Sequence, residues 1–169
     1  MSLERHRAES ASALRFAVIT ISDTRDTASD RGGPLLVERL SAAGHHVTFR
    51  EIVKDEAYAI EDVVRRAVAA LDVDLVLTTG GTGIAPRDVT YPTLMKLFES
   101  DIPGFGELFR ALSFREIGSA ALLSRAVGGL LGGKVVLALP GSPKALELAL
   151  SEIILKESGH LVSQTRPRG

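Results

Sequence analysis

The sequence predicts an α/β protein of three layers, in which a mostly parallel sheet carries helices on both faces. Apolar runs of strand length alternate along the chain with segments whose apolar residues recur at helical spacing. The strand-like runs are almost continuously apolar, which is typical of strands that are buried on both sides. Parallel strands need crossover connections, and right-handed crossovers place helices over the faces of the sheet.

The composition is that of one ordinary globular domain, with 169 residues, 45% of them hydrophobic and 24% charged, and a formal net charge of -1. This balanced charge gives no support to a nucleic-acid partner. Cys is absent, which excludes disulfides, thiol catalysis and Cys-bound zinc. No segment has the apolar run of a secretion signal or a membrane span, so we predict a cytoplasmic protein with no membrane partner.

The predicted single domain occupies residues 14–163. Residues 1–13 are polar and rich in charge, and we interpret them as a flexible N-terminal tail. Residues 164–169 are interpreted as a C-terminal tail.

The first half of the chain contains three predicted strands and two predicted helices. The strand-like runs cover residues 14–21, 46–53 and 74–79. Pro34 suits the first turn of a helix, which Gly44 stops. Over residues 57–71 the apolar side chains recur at helical spacing, which predicts the second helix.

The second half is predicted to contain more helix and a hairpin. Helices are predicted over residues 93–99, 104–117 and 144–155, and a shorter helix or ordered turn over 119–125. Strands at 126–131 and 134–139 flank Gly132-Gly133, which is typical of a hairpin turn and predicts one antiparallel pair. Ser142 is predicted as the N-cap of the last helix and Pro143 as its first residue.

Four loops that follow strands concentrate small, acidic and cationic residues. They contain Ser22-Asp23, Asp55-Glu56, residues 80–88 and residues 140–144. In an open α/β sheet, ligands bind outside the carboxyl ends of the strands. The sequence therefore predicts a binding site at this edge.

The run Gly80-Gly81-Thr82-Gly83 after the third strand allows a ligand to approach the backbone closely. Successive N–H groups in such a loop bind a phosphate without side-chain cations. A tight turn without ligand is the alternative. The run lacks the Lys of a P-loop, and Pro86 stands where the dinucleotide fingerprint needs a small residue, so both common nucleotide motifs are disfavoured.

Two carboxylates are expected beside this loop, from Asp88 on the loop itself and from Asp55 after the second strand. Paired carboxylates near a polyphosphate suit Mg2+. Structural roles remain open, because Asp88 is also placed to cap the following helix or to pair with Arg87, and Asp55 to cap the helix from Ala57.

The start of the last helix is a second candidate anion site. Its free N–H groups lie beside the charge of Lys144, with Ser142 at the cap position. The alternative is that Ser142 is only a cap and Lys144 only a surface residue.

These segments together resemble the MoaB/Mog family of molybdenum-cofactor adenylyltransferases. The principal motif is Thr-Thr-Gly-Gly-Thr-Gly at residues 78–83, followed by Pro-Arg-Asp-Val-Thr at 86–90. Further similar segments are residues 18–23, 103–107, 123–126 and 139–144. Residues 109–118 are similar to the MoaB branch more than to Mog.

The resemblance implies the molybdopterin-binding fold and Mg-ATP-dependent adenylylation of molybdopterin. Asp55 and Asp88 match the family's catalytic acidic residues, and their implied role is to position Mg2+ and nucleotide, because a phosphate monoester is already an anion. The implied binding residues for ATP and molybdopterin are Ser22, Asp23, Thr79, Gly80, Gly81, Thr82, Gly83, Pro140, Gly141, Ser142 and Lys144. Among these, the glycine loop of residues 80–83 is expected to hold phosphate, and Ser142 and Lys144 are expected to lie on the pterin side.

One position departs from the family pattern, since Arg31 stands where Ser is usual. Family members assemble as trimers, with hexamers in the MoaB branch, so a homotrimer or homohexamer is expected. Two other functions stay open at this point. One is a non-catalytic molybdopterin-binding or carrier protein of the same pathway, and the other is an oligomeric scaffold with a vestigial cleft.

Overall fold

Within residues 13–166, six strands form one sheet in the order β2-β1-β3-β6-β5-β4. The computed structural model describes residues 13–166, so most of the predicted tails lies outside the described residues. The strands are β1 (Arg15–Ile21), β2 (His46–Val53), β3 (Leu75–Thr79), β4 (Ser100–Asp101), β5 (Val127–Leu131) and β6 (Lys134–Leu139). Strands β1, β2, β3 and β6 are parallel, whereas β5 is antiparallel to both of its neighbours. The predicted mostly parallel sheet with a late antiparallel pair is confirmed.

In the described part of the chain, six α-helices connect and follow these strands. They are α1 (Gly32–Ala42), α2 (Ala57–Ala69), α3 (Thr90–Leu97), α4 (Pro103–Ile117), α5 (Pro143–Ala149) and α6 (Leu155–Thr165). A 3-10 helix, Gly118–Leu123, follows α4, and the π-helical segment Leu150–Ile154 joins α5 to α6. Within residues 13–166, no helix combines the length and the apolar character needed to cross a lipid bilayer.

The final helix is longer than predicted. It continues through α6 to Thr165, beyond the predicted end at Leu155. Val162 and Ser158 are buried against the sheet, which stabilises these last turns through tertiary packing. Gly159 and the polar residues around it interrupt the apolar periodicity of a helix, so the sequence pattern does not predict this segment as helical.

Two hydrophobic cores lie on opposite faces of the sheet. Along β1, Phe16 and Val18 contribute to one core, whereas Ala17 and Ile19 contribute to the other. The first core includes buried side chains of α1, α4, α5 and α6, and the second includes those of α2 and α3. This alternation is the period of two expected of a strand covered on both faces. The predicted three-layer arrangement is confirmed.

The sheet brings the ends of its central strands to one edge. Thr79 is aligned with Thr20 on one side and with Leu139 on the other. Because β1, β3 and β6 are parallel, the loops after them emerge side by side. Strand β5 runs the other way, so the segment that precedes Val127 also lies at this edge. The sheet thereby assembles the candidate site.

An ion pair between Arg15 and Asp74 stabilises the opposite edge of the sheet. The Asp74 carboxylate accepts hydrogen bonds from the Arg15 backbone N–H at 2.8 Å, from Nε at 3.0 Å and from Nη2 at 2.9 Å. These contacts lower the pKa of the Asp74 carboxyl below its usual value. We expect Asp74→Asn to lower the melting temperature at pH 7 by roughly 3–6 °C.

The pH dependence of this effect follows from the direction of the shift. An acid whose pKa is lowered in the fold stabilises the protein above its unfolded-state pKa, and this contribution is lost as the pH falls through the folded-state pKa. Thermal melts of both proteins should therefore converge in acid. A difference that is as large at pH 3 as at pH 7 would contradict the assignment.

Candidate functional site

A cleft of about 590 Å³ opens at the carboxyl edge of the sheet. The loops after β1, β3 and β6 and the segment before β5 all contribute to its wall. Of the residues predicted from the sequence, it is lined by Ser22, Thr79, Gly80, Gly81, Thr82, Gly83, Asp88, Pro140 and Gly141. The other lining residues are Thr20, Ile21, Arg25, Asp30, Arg31, Gly32, Leu123, Ser124 and Pro143.

The four carbonyl groups of the glycine loop all accept hydrogen bonds from two residues on the side away from the cleft. The Gly80 carbonyl accepts a hydrogen bond from Thr90 Oγ1 at 3.1 Å, and the Gly81 carbonyl accepts one from the Thr90 N–H at 3.2 Å. The Thr82 carbonyl accepts the Arg125 N–H at 2.9 Å, and the Gly83 carbonyl accepts Arg125 Nε at 2.9 Å. Neither Thr90 nor Arg125 lines the cleft.

The N–H groups of the same loop are left for a ligand. In a trans peptide the N–H points opposite to the preceding carbonyl, so four N–H groups point away from Thr90 and Arg125. They belong to Gly81, Thr82, Gly83 and Ile84, and they donate no hydrogen bond within the described part of the chain. Consecutive uncommitted N–H groups at a cleft suit a phosphate group.

Two positions of this loop require glycine. Gly80 has φ +104° and Gly81 has φ +66°, in the region that L side chains rarely adopt. A Cβ atom on Gly81 would also lie 2.8 Å from Asp55 Oδ2. The loop therefore holds its shape only with a bare backbone next to Asp55.

Asp55 is half-buried and contacts the backbone after the glycine loop. Its Oδ1 accepts the Val89 N–H at 3.2 Å, while its own N–H donates to Asp23 Oδ1 at 3.0 Å. It does not cap the helix from Ala57, because Glu56 occupies the N-cap. Asp55 is not among the residues that line the cleft, and it lies behind Gly81.

Asp88 lines the cleft beside Gly83. Its Oδ2 accepts the Ala85 N–H at 3.1 Å, which closes the turn between them. A Cβ atom on Gly83 would lie 2.7 Å from Asp88 Oδ2. Asp55 and Asp88 thus flank the same loop, next to Gly81 and Gly83 respectively.

The electrostatics of this loop favour a cation. Burial raises the pKa of the Asp55 carboxyl, and the negative charges of Asp88 and Asp23 raise it further, against the Val89 N–H. Asp55 Oδ2 and Asp88 Oδ1 accept no hydrogen bond from residues 13–166. Those residues hold no cluster of three or more potential metal ligands. Two carboxylates nonetheless fit Mg2+, which takes one or two carboxylates together with substrate phosphates and water.

Removal of the Asp55 charge is expected to stabilise the fold. An acid whose pKa is raised in the fold costs stability as the pH rises through that pKa. In the presence of a chelator, at pH 7, Asp55→Asn should therefore raise the melting temperature by roughly 1–5 °C, which is the size of effect expected of one stabilising substitution. The gain should vanish below the usual pKa of Asp. Asp74→Asn, with the opposite shift, is the matched control, and a lower melting temperature for Asp55→Asn would refute the argument.

Ser142 and Lys144 lie beside the cleft in a neighbouring pocket of about 190 Å³. Ser142 takes the predicted N-cap position of α5, without a side-chain cap hydrogen bond. Lys144 Nζ is 3.7 Å from Glu116 Oε2, and its side chain is exposed. The two pockets share Ser124 and Pro140, so the predicted second site adjoins the first.

The floor of the cleft contains an ionic contact that the sequence analysis missed. Asp30, only 6% exposed, accepts Thr20 Oγ1 at 2.8 Å and the Gly33 N–H at 3.1 Å. Arg50 of β2 forms an ion pair with the same carboxylate. No periodic pattern connects Asp30 with Arg50, because their contact depends on β2 lying beside β1.

Comparison with known proteins places this chain in a family. Residues 17–160 match the sequence profile of a family described as "Probable molybdopterin binding domain". The chain belongs to the molybdopterin-binding domain family. Molybdenum cofactor biosynthesis protein B of Halalkalibacterium halodurans is 46% identical over 165 residues, which cover 97% of each chain.

Solved structures of this family agree with the fold. A crystal structure of a molybdenum cofactor biosynthesis protein B has a TM-score of 0.89 and 49% identity, covering 92% of this chain and 97% of that one. The tungsten cofactor synthesizing protein MoaB of Pyrococcus furiosus has a TM-score of 0.82 and 38% identity, covering 92% and 99%. The predicted molybdopterin-binding fold and the resemblance to the MoaB branch are confirmed.

Proposed function

We propose that this protein catalyses the Mg-ATP-dependent adenylylation of molybdopterin, which yields molybdopterin-AMP and pyrophosphate. The observation that carries the proposal is the set of four consecutive uncommitted N–H groups of residues 81–84, with Gly81, Thr82, Gly83 and Asp88 lining the cleft and Asp55 behind Gly81. Such a loop suits a polyphosphate with a divalent cation. Membership in the molybdopterin-binding family supports the choice of the second substrate.

The proposed reaction is a direct transfer between two phosphate groups. An oxygen of the terminal phosphate of molybdopterin attacks the α-phosphorus of ATP. The bond from this phosphorus to the oxygen that bridges to the β-phosphate breaks, and pyrophosphate leaves with the bonding electrons. Because the attacking phosphate is already an anion, no general base and no covalent enzyme intermediate are needed.

The residues of the chain would bind and orient the reacting groups. The N–H groups of residues 81–84 would bind phosphate oxygens, and Asp55 and Asp88 would hold the cation. Mg2+, when bound, neutralises charge on the transferring and leaving phosphates. Ser142 and Lys144 would contribute to the pterin side from the adjoining pocket. Catalysis would then depend on positioning and electrostatics.

The predicted homotrimer or homohexamer gains support from an exposed apolar surface on α4 and the 3-10 helix after it. Its exposed large side chains are Leu108, Phe114, Ile117, Leu122 and Leu123. An interface between subunits would bury such side chains, which are concentrated on one segment of the chain. The oligomer and the cytoplasmic location stay predictions.

The product of the reaction tests the proposed function. Purified protein is incubated with molybdopterin, ATP and Mg2+, and the products are identified by mass spectrometry. We expect molybdopterin-AMP and pyrophosphate in equal amounts, and neither when any one component is omitted. Molybdopterin binding without molybdopterin-AMP would overturn the proposal in favour of the carrier function. Binding of neither ligand would favour the scaffold.

A further inference from the structure

We propose that Arg125 is a positioning residue that holds the glycine loop and Asp88 in the geometry that binds phosphate and cation. The ligands in this inference rest on the proposed function. Arg125 donates from Nε to the Gly83 carbonyl at 2.9 Å and from Nη2 to the Asp88 carbonyl at 2.8 Å. Its backbone N–H donates to the Thr82 carbonyl at 2.9 Å. One residue thus binds three backbone carbonyls of the loop from the side away from the cleft.

The guanidinium fastens both ends of the turn that carries Asp88. Gly83 begins this turn and Asp88 ends it, and the hydrogen bond from the Ala85 N–H to Asp88 Oδ2 lies inside it. The planar fork of Arg presents several N–H donors in a fixed arrangement, which allows it to bond two carbonyls at once. A Lys ammonium at the end of a flexible chain lacks this fork.

The same contacts set the direction of two phosphate-binding N–H groups. Because the peptide plane is rigid, the hydrogen bond from Arg125 to the Thr82 carbonyl directs the Gly83 N–H away from Arg125. The hydrogen bond from the guanidinium to the Gly83 carbonyl directs the Ile84 N–H away from Arg125 in the same manner. Arg125 therefore orients half of the four uncommitted N–H groups, in addition to the turn that carries Asp88.

Arg125 is itself held in place by its surroundings. Its guanidinium carbon lies 5.2 Å from the centroid of the Tyr91 ring. The segment on which it lies is fixed by Arg110, whose Nη1 donates to the Ala126 carbonyl at 3.0 Å. The antiparallel direction of β5 brings this segment to the carboxyl edge of the sheet.

The charge of Arg125 remains available to the loop. Its polar contacts with the described residues are all to backbone carbonyls, so no carboxylate there neutralises it. A positive charge behind consecutive N–H groups strengthens the attraction of the loop for an anion. Arg125 thus acts on the ligand through the geometry that it imposes on the loop and through its positive charge.

Amide hydrogen exchange and pyrophosphate binding test this role. The variants are Arg125→Lys, which keeps the charge and loses the fork, and Arg125→Met, which loses both. Arg15→Lys is the matched control, because it loses a similar fork contact with Asp74 at the opposite edge of the sheet. The reporters are the N–H groups of Ala85 and Thr90, which bond within or beside the loop. The binding probe is inorganic pyrophosphate with Mg2+, measured by calorimetry.

We expect Arg125→Lys to accelerate exchange at Ala85 and Thr90 by about tenfold or more and to weaken pyrophosphate affinity by a similar factor. Arg125→Met should show larger changes, and Arg15→Lys should change neither measurement by more than about twofold. Unchanged exchange at both reporters in folded Arg125→Lys and Arg125→Met would overturn the inference. If pyrophosphate does not bind to the unmodified protein, the exchange result decides alone.

The two proposals fail separately. If the unmodified protein forms no molybdopterin-AMP but exchange still accelerates in the Arg125 variants, the proposed function fails and the positioning role stands. If the unmodified protein forms molybdopterin-AMP and the variants keep both full turnover and slow exchange, the positioning role fails and the proposed function stands.

Discussion

Asp88→Asn and Asp55→Asn are each expected to reduce kcat/KM for formation of molybdopterin-AMP by about 100-fold or more. A bound divalent cation contributes several kcal/mol of charge stabilisation in phosphoryl transfer, and loss of one charged ligand removes a large part of it. Each amide keeps an oxygen that can accept the hydrogen bond now donated by the Ala85 or the Val89 N–H. The variants therefore change charge at the loop with little change in its shape.

Stability measurements separate this loss from unfolding. Asp55→Asn is expected to melt at a higher temperature than the unmodified protein while it loses turnover, because the raised pKa of Asp55 marks a charge that the fold disfavours. Asp62→Asn is the matched control for activity, since Asp62 lies on the exposed surface of α2 and pairs with Arg66. Full turnover in both Asp55→Asn and Asp88→Asn would reject the metal-positioning role.

Gly81→Ala is expected to abolish phosphate binding and turnover at the loop. The substitution places a Cβ atom 2.8 Å from Asp55 Oδ2 and near Thr90 Oγ1, at a residue with φ +66°. Either the loop or Asp55 has to move, and both moves disrupt the proposed phosphate and cation site. We expect turnover to fall by about 1,000-fold or more, which is the effect of losing several positioned groups together.

Gly133→Ala is the matched control for this variant. Gly133 has φ +73° in the turn between β5 and β6, and a Cβ atom there meets nothing within 4 Å. Both substitutions therefore impose similar backbone strain, on the order of 1–2 kcal/mol. Equal losses of activity in the two variants would indicate a general effect of strain and would contradict a role specific to Gly81.

The sheet and most of its helices were predictable because buried elements have strong local patterns. The apolar run that predicted a strand at 74–79 corresponds to β3, and that at 134–139 corresponds to β6. Strand β4 escaped prediction because it consists of two exposed residues, Ser100 and Asp101, too few for any periodicity. The last turns of α6 escaped because their stability comes from packing rather than from helix propensity.

The candidate site was predictable where it depends on strand direction alone. The loops after β1, β3 and β6 converge as expected, since the carboxyl ends of parallel strands share an edge. Contacts across the fold were not predictable in this way. Asp30 meets Arg50, and Arg125 meets Gly83, only because particular strands are neighbours or run antiparallel. Arg125 lies within a segment that resembles the family, yet nothing in its sequence context indicates the carbonyls that it contacts.

The location of the bound cation relative to the glycine loop tests the proposed phosphate and cation site most sharply. Isotope-labelled protein is mixed with Mn2+ and a non-hydrolysable ATP analogue, and paramagnetic broadening of its amide NMR signals is measured. We predict strong broadening of the signals from Gly81 to Ile84 and of Asp88, present only with the analogue, while Gly133 at the far turn keeps its line width. Broadening centred elsewhere, or an unaffected glycine loop at saturating analogue, would contradict the assignment of the cation to this loop.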